Sequence, residues 1–334
     1  REAANKQVMQ IGRREPDHIW GCNPCSEIIL RPYQLCNLSE IVVRPTDSIE
    51  TLTDKVSHAT ILGTFQSCLT NFKYLRNIWK KNTEEERLLG VSLTGIMDNE
   101  MMYSKKGLPE LLEKLKNTAI NTNKVLAERI GISASTAITC VKPSGTVSQL
   151  VDSASGIHAR HSPYYIRTVR ADNKDPMTQF MIDKGVPSEP DASKPDSTTV
   201  FSFPVESPMN AISRHTYTAI EQLELWLIYQ RHWCEHKPSI TVSVRENEWL
   251  QVGAWVYKHF NEVSGISFLP FDDHVYQQAP YQDCDKKQFL ELKNKMPDID
   301  WESLAEYEKE DNTTGAQDLA CAAGVCEVVD IQAS

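Results

Sequence analysis

The sequence has no apolar run approaching the roughly 18 residues that a membrane-spanning helix needs. Its opening, "REAANKQVMQ", lacks the charged, apolar and small-residue order of a secretory signal. The expectation is a cytoplasmic chain with no membrane contact. Basic charge is also short: 35 Lys and Arg stand against 45 Asp and Glu, a net charge of −10. An extended nucleic-acid groove neutralises phosphates with clustered cations, so no nucleic-acid partner is expected, although local donors can still hold a single nucleotide. No internal repeat is convincing. The nine cysteines are odd in number and scattered through 334 residues, which argues against a disulfide scaffold and for reduced thiols. The first residue is Arg1 rather than Met, and the opening reads as the middle of a helix. The expectation is a fragment, a processed product or half of a split protein.

With 40% hydrophobic and 24% charged residues, the chain can bury a sizeable core in one large domain or two ordinary ones. Apolar residues recur at helical spacing over 50–82 and again over 107–130, which predicts two long packed helices. The runs "SEIIL", "EIVV", "STAITCV", "TTVFSFPV" and "SITVSV" predict strands, several followed by helical patterns, as in a large α/β fold. A Pro-, Asp- and Ser-rich span over about 169–199 reads as a surface excursion rather than a domain boundary. The acidic, small-residue end reads as a mobile tail, giving a body over 1–310 and a tail over 311–334.

The segment "CNPCSEIILRPYQLCNLSE" concentrates thiols, an amide and a carboxylate. Pro24 biases Asn23 away from helix, so Cys25 is expected on a tight, non-helical loop. If the segment is extended, Asn23, Cys25 and Glu27 share one face and converge. Two other readings stand beside this one. Free cysteines are commonly core residues. Cys22 and Cys25 also have C-x-x-C spacing, and "HWCEH" offers His232, Cys234 and His236 as further zinc ligands. In "KPSGTVSQL", Ser144, Gly145 and Thr146 offer backbone N–H groups and hydroxyls with little steric cover, as a phosphate cradle or as an ordinary turn and helix cap. Lys142 adds charge there or is simply solvated. Cys321 and Cys326, in "CAAGVC", can approach disulfide distance in a flexible tail or be incidental. The acidic "FDDHVY", with Asp272, Asp273 and His274, reads as solvated, and Tyr164–Tyr165 reads as packing.

Taken in order, "NPCSEIILRPYQLCNLSE", "KPSGTVSQLVDSASGIHARHSPYYIRTVR" and "CAAGVC" resemble the catalytic subunit of ribonucleotide reductases, in particular the adenosylcobalamin-dependent (class II), monomeric ribonucleoside-triphosphate type. The resemblance covers nearly the whole chain but only about the C-terminal half of the family's enzyme. It implies the second half of a ten-stranded α/β barrel with a central finger loop and a flexible tail. It implies radical reduction of ribonucleoside triphosphates, with adenosylcobalamin as cofactor and no metal site. It makes Cys25 the thiyl-radical residue, Glu27 the carboxylate that takes the 3′-hydroxyl proton, and Asn23 the amide that binds substrate and orients that carboxylate. Cys36 becomes one of two reducing thiols, its partner lying in the absent first half. Ser144, Gly145 and Thr146, with Ser148, become the substrate phosphate cradle, and Cys321 and Cys326 the pair that relays electrons from thioredoxin. The implied partners are the nucleotide, an N-terminal half and thioredoxin. Ser26 stands where class II sequences commonly have glycine. The alternative function is a thiol-redox or zinc-binding interaction protein without radical chemistry.

Overall fold

The computed structural model describes residues 2–271 and 277–308. In chain order the elements begin with α1 (Glu2–Ile11), β1 (Gly21–Cys22), β2 (Ile29–Leu30), β3 (Asn37–Val42), α2 (Ile49–Gln66), α3 (Asn77–Glu86) and β4 (Leu89–Thr94). They continue with α4 (Glu100–Tyr103), α5 (Leu108–Ile130), β5 (Thr139–Cys140), α6 (Thr146–Leu150), β6 (Tyr164–Asp172), α7 (Pro176–Asp183), β7 (Ser188–Pro190) and β8 (Thr198–Glu206). The last are α8 (Ala219–His232), β9 (Ile240–Val244), α9 (Trp249–Lys258), β10 (Ile266–Pro270), β11 (Tyr281–Asp283) and α10 (Lys286–Lys295). The chain divides into two compact units, Arg1–Arg160 with Pro208–Asp272, and His161–Ser207 with Asp273–Ser334.

The first unit is built on parallel strands. β3 pairs with β4 and β4 with β5, all parallel, and β9 pairs parallel with β10. A parallel bridge between Val141 and Pro238 joins the two groups, with the Val141 N–H donating to the Lys237 carbonyl at 3.2 Å. The spatial order is therefore β3, β4, β5, β9, β10. Parallel neighbours need long crossovers, and α2 with α3, then α5, supply them between the first three strands. All six residues of β4 are buried, as befits a central strand covered on both faces. Around it pack Val56, Leu112, Leu115, Trp226 and Trp233 in one apolar core. Among the described residues the sheet is open, and no closed barrel is present. The fold is α/β as expected; the ten-stranded barrel is not seen in it.

The helix expected over 50–82 is broken in two. α2 starts at a capping box between Ser48 and Thr51 and buries Leu52, Val56, Ala59 and Gly63 on one stripe. It ends at Gln66, where tight turns follow and the Arg87 guanidinium donates to the orphan Ser67 carbonyl at 2.7 Å. The apolar residues that continue the helical spacing in sequence are not core: Leu69 and Tyr74 are exposed. The helix expected over 107–130 is α5.

The second unit is a four-stranded antiparallel sheet in the order β11, β6, β8, β7, its core including Tyr165, Phe180, Phe201 and Phe289. The Pro-rich span over 169–199 lies inside this unit, running from β6 through α7 and β7 to the start of β8.

Candidate active site

β1 and β2 form a minimal antiparallel hairpin, with Cys22 opposite Ile29, and the six residues between them make the loop that carries Cys25. The loop is a turn, and this corrects the extended segment expected from the sequence. Ser26 N–H donates to the Asn23 carbonyl at 2.9 Å, and Ser26 itself takes a left-handed φ of 66°. Strand alternation therefore does not bring the three side chains together. Cys25 is exposed at the tip, whereas Glu27 is fully buried beneath it. Asn23 reaches Glu27 through the fold of the turn: its Nδ2 donates to Glu27 Oε1 at 2.6 Å, while its Oδ1 accepts from Ile28 N–H at 3.0 Å.

A buried carboxylate needs partners. Glu27 Oε1 has a second one in Lys142, whose Nζ lies 2.7 Å away. Glu27 Oε2 is buried with no hydrogen-bond partner, an open acceptor beside the loop. Lys142 also lies within electrostatic range of Cys25. The Lys142 main chain is fixed by a 2.9 Å bond from its N–H to Ser92 Oγ on β4. The two motifs 115 residues apart thus meet through one ion pair. Lys142, read from the sequence as added charge or a solvated side chain, is the link. No local pattern announces it, because its partner belongs to another segment.

Cys36 stands just before β3. Burial pushes its thiol well above the ordinary range, opposed by the charge of Arg14 and reinforced by that of Glu27. It fits over β4 because residue 90 has no side chain: a Cβ on Gly90 would collide with Leu38 and meet Cys36 Sγ at 3.3 Å. Beneath the hairpin, buried Arg14 forms two bonds to Glu86, at 2.7 and 2.9 Å, and donates to the Ile29 carbonyl at 3.0 Å. Gln34 also donates to Glu86. Burial works against the Glu86 carboxylate, yet the Arg14 bonds and charge hold its pKa below the ordinary value.

In the second motif, two of the four expected phosphate ligands already have partners. Ser144 Oγ donates to Glu40 at 3.0 Å and accepts from Ser148 N–H at 3.0 Å, and Ser144 N–H donates to Ser155 Oγ at 3.0 Å. Ser148 Oγ bonds the Ser144 and Gly145 carbonyls. Gly145 and Thr146 face outward at the start of α6. Burial raises the pKa of Glu40, with the Ser144 bond opposing it.

The zinc reading does not gather its ligands. His236 is fully buried with both ring nitrogens engaged, Nδ1 accepting from Ile29 N–H at 3.3 Å and Nε2 donating to the Leu89 carbonyl at 2.9 Å. Burial lowers its pKa to about 3, so it is neutral at ordinary pH. Cys234 is buried while Cys22 and Cys25 are exposed. Among the described residues no group of three or more His, Cys, Asp or Glu is placed to hold a metal ion. Cys321, Cys326, Asp272, Asp273 and His274 lie outside the described residues.

The fold is that of class II ribonucleotide reductases: a crystal structure of a B12-dependent enzyme of that class superposes with a TM-score of 0.74 at 23% identity, covering 86% of this chain and 44% of the other. By sequence the chain is similar to the adenosylcobalamin-dependent ribonucleoside-triphosphate reductase of Euglena gracilis, 28% identical over 311 residues, covering 88% of this chain and 41% of the relative. The enzyme of the same name from Lacticaseibacillus paracasei is 26% identical over 354 residues, covering 94% of this chain and 46% of the relative. The chain thus spans less than half the length of these relatives. No family model matches it. The similarity to this family of enzymes therefore extends over most of the chain.

Proposed function

We propose that this chain is the catalytic portion of a ribonucleotide reductase, reducing ribonucleoside triphosphates to 2′-deoxyribonucleotides by radical chemistry. One observation carries the reading: an exposed loop thiol stands over a buried carboxylate that is held by an amide and an ammonium and keeps one oxygen unpartnered. In this reading Cys25 loses a hydrogen atom to become a thiyl radical and takes the 3′ hydrogen of the ribose. Glu27 accepts the 3′-hydroxyl proton on its free oxygen, oriented by Asn23 and Lys142. Cys36 supplies reducing electrons with a thiol from an upstream segment. Adenosylcobalamin, when bound, supplies the radical-generating chemistry. The exposure of Cys25 would leave the thiol accessible to so bulky a group.

The phosphate cradle in this proposal rests on the outward-facing Gly145 and Thr146, with Ser144 and Ser148 shaping the loop from beneath. The five parallel strands are what half of a ten-stranded barrel supplies, and the upstream half would close it. Residues 1–310 are the catalytic body. Cys321 and Cys326, in the tail over 311–334, relay electrons from thioredoxin in the cytoplasm through mixed disulfides. The test is deoxynucleotide formation from a ribonucleoside triphosphate with adenosylcobalamin and a small dithiol, the upstream half supplied. Stoichiometric zinc without product would instead favour the thiol-redox alternative.

A further inference from the structure

We propose that Cys22 is a resolving thiol that captures Cys25 in a reversible Cys22–Cys25 disulfide when the loop meets a hydroperoxide. Cys22 immediately precedes, and Cys25 lies within, a turn that doubles the chain back on itself. The Asn23 N–H donates to the Ile28 carbonyl at 3.3 Å and Ser26 N–H to Asn23 at 2.9 Å. Cys22 Sγ consequently lies across the turn, 3.6 Å from Ser26 Oγ, alongside the residue bonded to Cys25. Both thiols are free and exposed. Cys22 also lines a cleft of about 520 Å³ with Trp20, Leu30 and Lys237, so the resolving thiol has open space beside it. Two residues between thiols is the spacing of reversible dithiol motifs, and sensor cysteines are characteristically exposed with a resolving thiol beside them.

The competing thiols are poorly placed. Cys140 and Cys234 are buried, and Cys36 is only half-exposed, whereas Cys22 and Cys25 are both exposed. Cys68 is exposed but sits just beyond the end of α2, on a different element from the hairpin.

The chemistry balances in two steps. The Cys25 thiolate attacks hydrogen peroxide; an S–O bond forms, the O–O bond breaks, and hydroxide leaves, taking a proton from solvent or from Lys142. The Cys22 thiolate then attacks the sulfenic sulfur; the S–S bond forms, the S–O bond breaks, and the hydroxide that leaves takes a proton from solvent to become the second water. Two thiols and one peroxide give one disulfide and two waters, and a dithiol reverses the change by exchange. Without Cys22 the sulfenic acid would proceed to the irreversible sulfinic and sulfonic acids. On the functional reading above, the disulfide withholds the radical-carrying thiol until reductant returns.

The experiment is a peptide map of the full chain after limited hydrogen peroxide, alkylation, and cleavage after Arg14 and after Glu27. That cleavage separates Cys22 and Cys25 from Cys36. The expected peptide is unalkylated and lighter by two hydrogens, and becomes alkylatable after dithiol treatment. In Cys22→Ser the disulfide is lost and Cys25 accumulates as sulfinic and sulfonic acid. Irreversible oxidation of Cys25 at equal rates in the two proteins, or a disulfide joining Cys25 to Cys36, would overturn the proposal. The readout is a mass, so either failure leaves the proposed activity untouched.

Discussion

At the scale of single residues, the proposed mechanism assigns a radical carrier and a base to different side chains. A serine cannot hold a thiyl radical, so Cys25→Ser should abolish product while nucleotide binding, measured by equilibrium titration, persists. Glu27→Gln keeps the shape and the bond from Asn23 but removes the proton acceptor; turnover should fall by on the order of 10²- to 10⁴-fold. Ser26 offers a test of strain. Its φ of 66° is a conformation that glycine adopts freely and other residues adopt at a cost. Ser26→Gly should therefore stabilise the chain by on the order of 1 kcal/mol in denaturant titration. A loss of stability would mean that the Cys22 to Ser26 contact outweighs the strain.

At the scale of elements, the hairpin is held by groups distant in sequence. His236, from the segment leading into β9, ties β2 to β4 through its two ring nitrogens. Burial lowers its pKa from 6.5 to about 3. The unfolded chain therefore takes up a proton near pH 6.5 that the folded chain refuses until about pH 3. Stability from this group is complete above pH 6.5 and is lost as pH falls through that window, by about 1.4 kcal/mol per pH unit. Chemical unfolding at pH 7 and at pH 5 should show the fall, and His236→Gln should flatten it. An unchanged slope in the variant would contradict the assignment. The same scale explains what could be read in advance. Alternating or β-branched runs marked β8 and β9, and amphipathic spacing marked α5. β4 went unseen because a strand buried on both faces has no alternation to detect, and "LGVSLT" carries Gly and Ser within it. The break after Gln66 was hidden because Leu69 and Tyr74 continue an apolar count while facing solvent. Cys25, Glu27 and Asn23 were legible as neighbours in one short segment. Lys142, Gly90 and the Arg14–Glu86 pair were not, because each acts on a residue dozens of positions away.

At the scale of the molecule, the first unit presents an open parallel sheet whose edge strand β3 carries exposed Leu38, and the flanking α2 exposes Leu62 and Phe65. Unpaired strand edges and exposed apolar side chains are surfaces that another segment can cover. The proposed relay makes its own prediction here: replacing Cys321 and Cys326 by serine should leave turnover with a small dithiol largely intact and abolish turnover driven by thioredoxin. Equal loss with both reductants would contradict the relay. The most direct measurement is deoxynucleotide formation by this chain with adenosylcobalamin, a ribonucleoside triphosphate and dithiol, alone and then with the upstream half supplied in trans. The expected result is no product from the chain alone, product on mixing, and none on mixing with Cys25→Ser. Full activity from the chain alone, no product on mixing, or product that survives the loss of Cys25 would contradict the proposal.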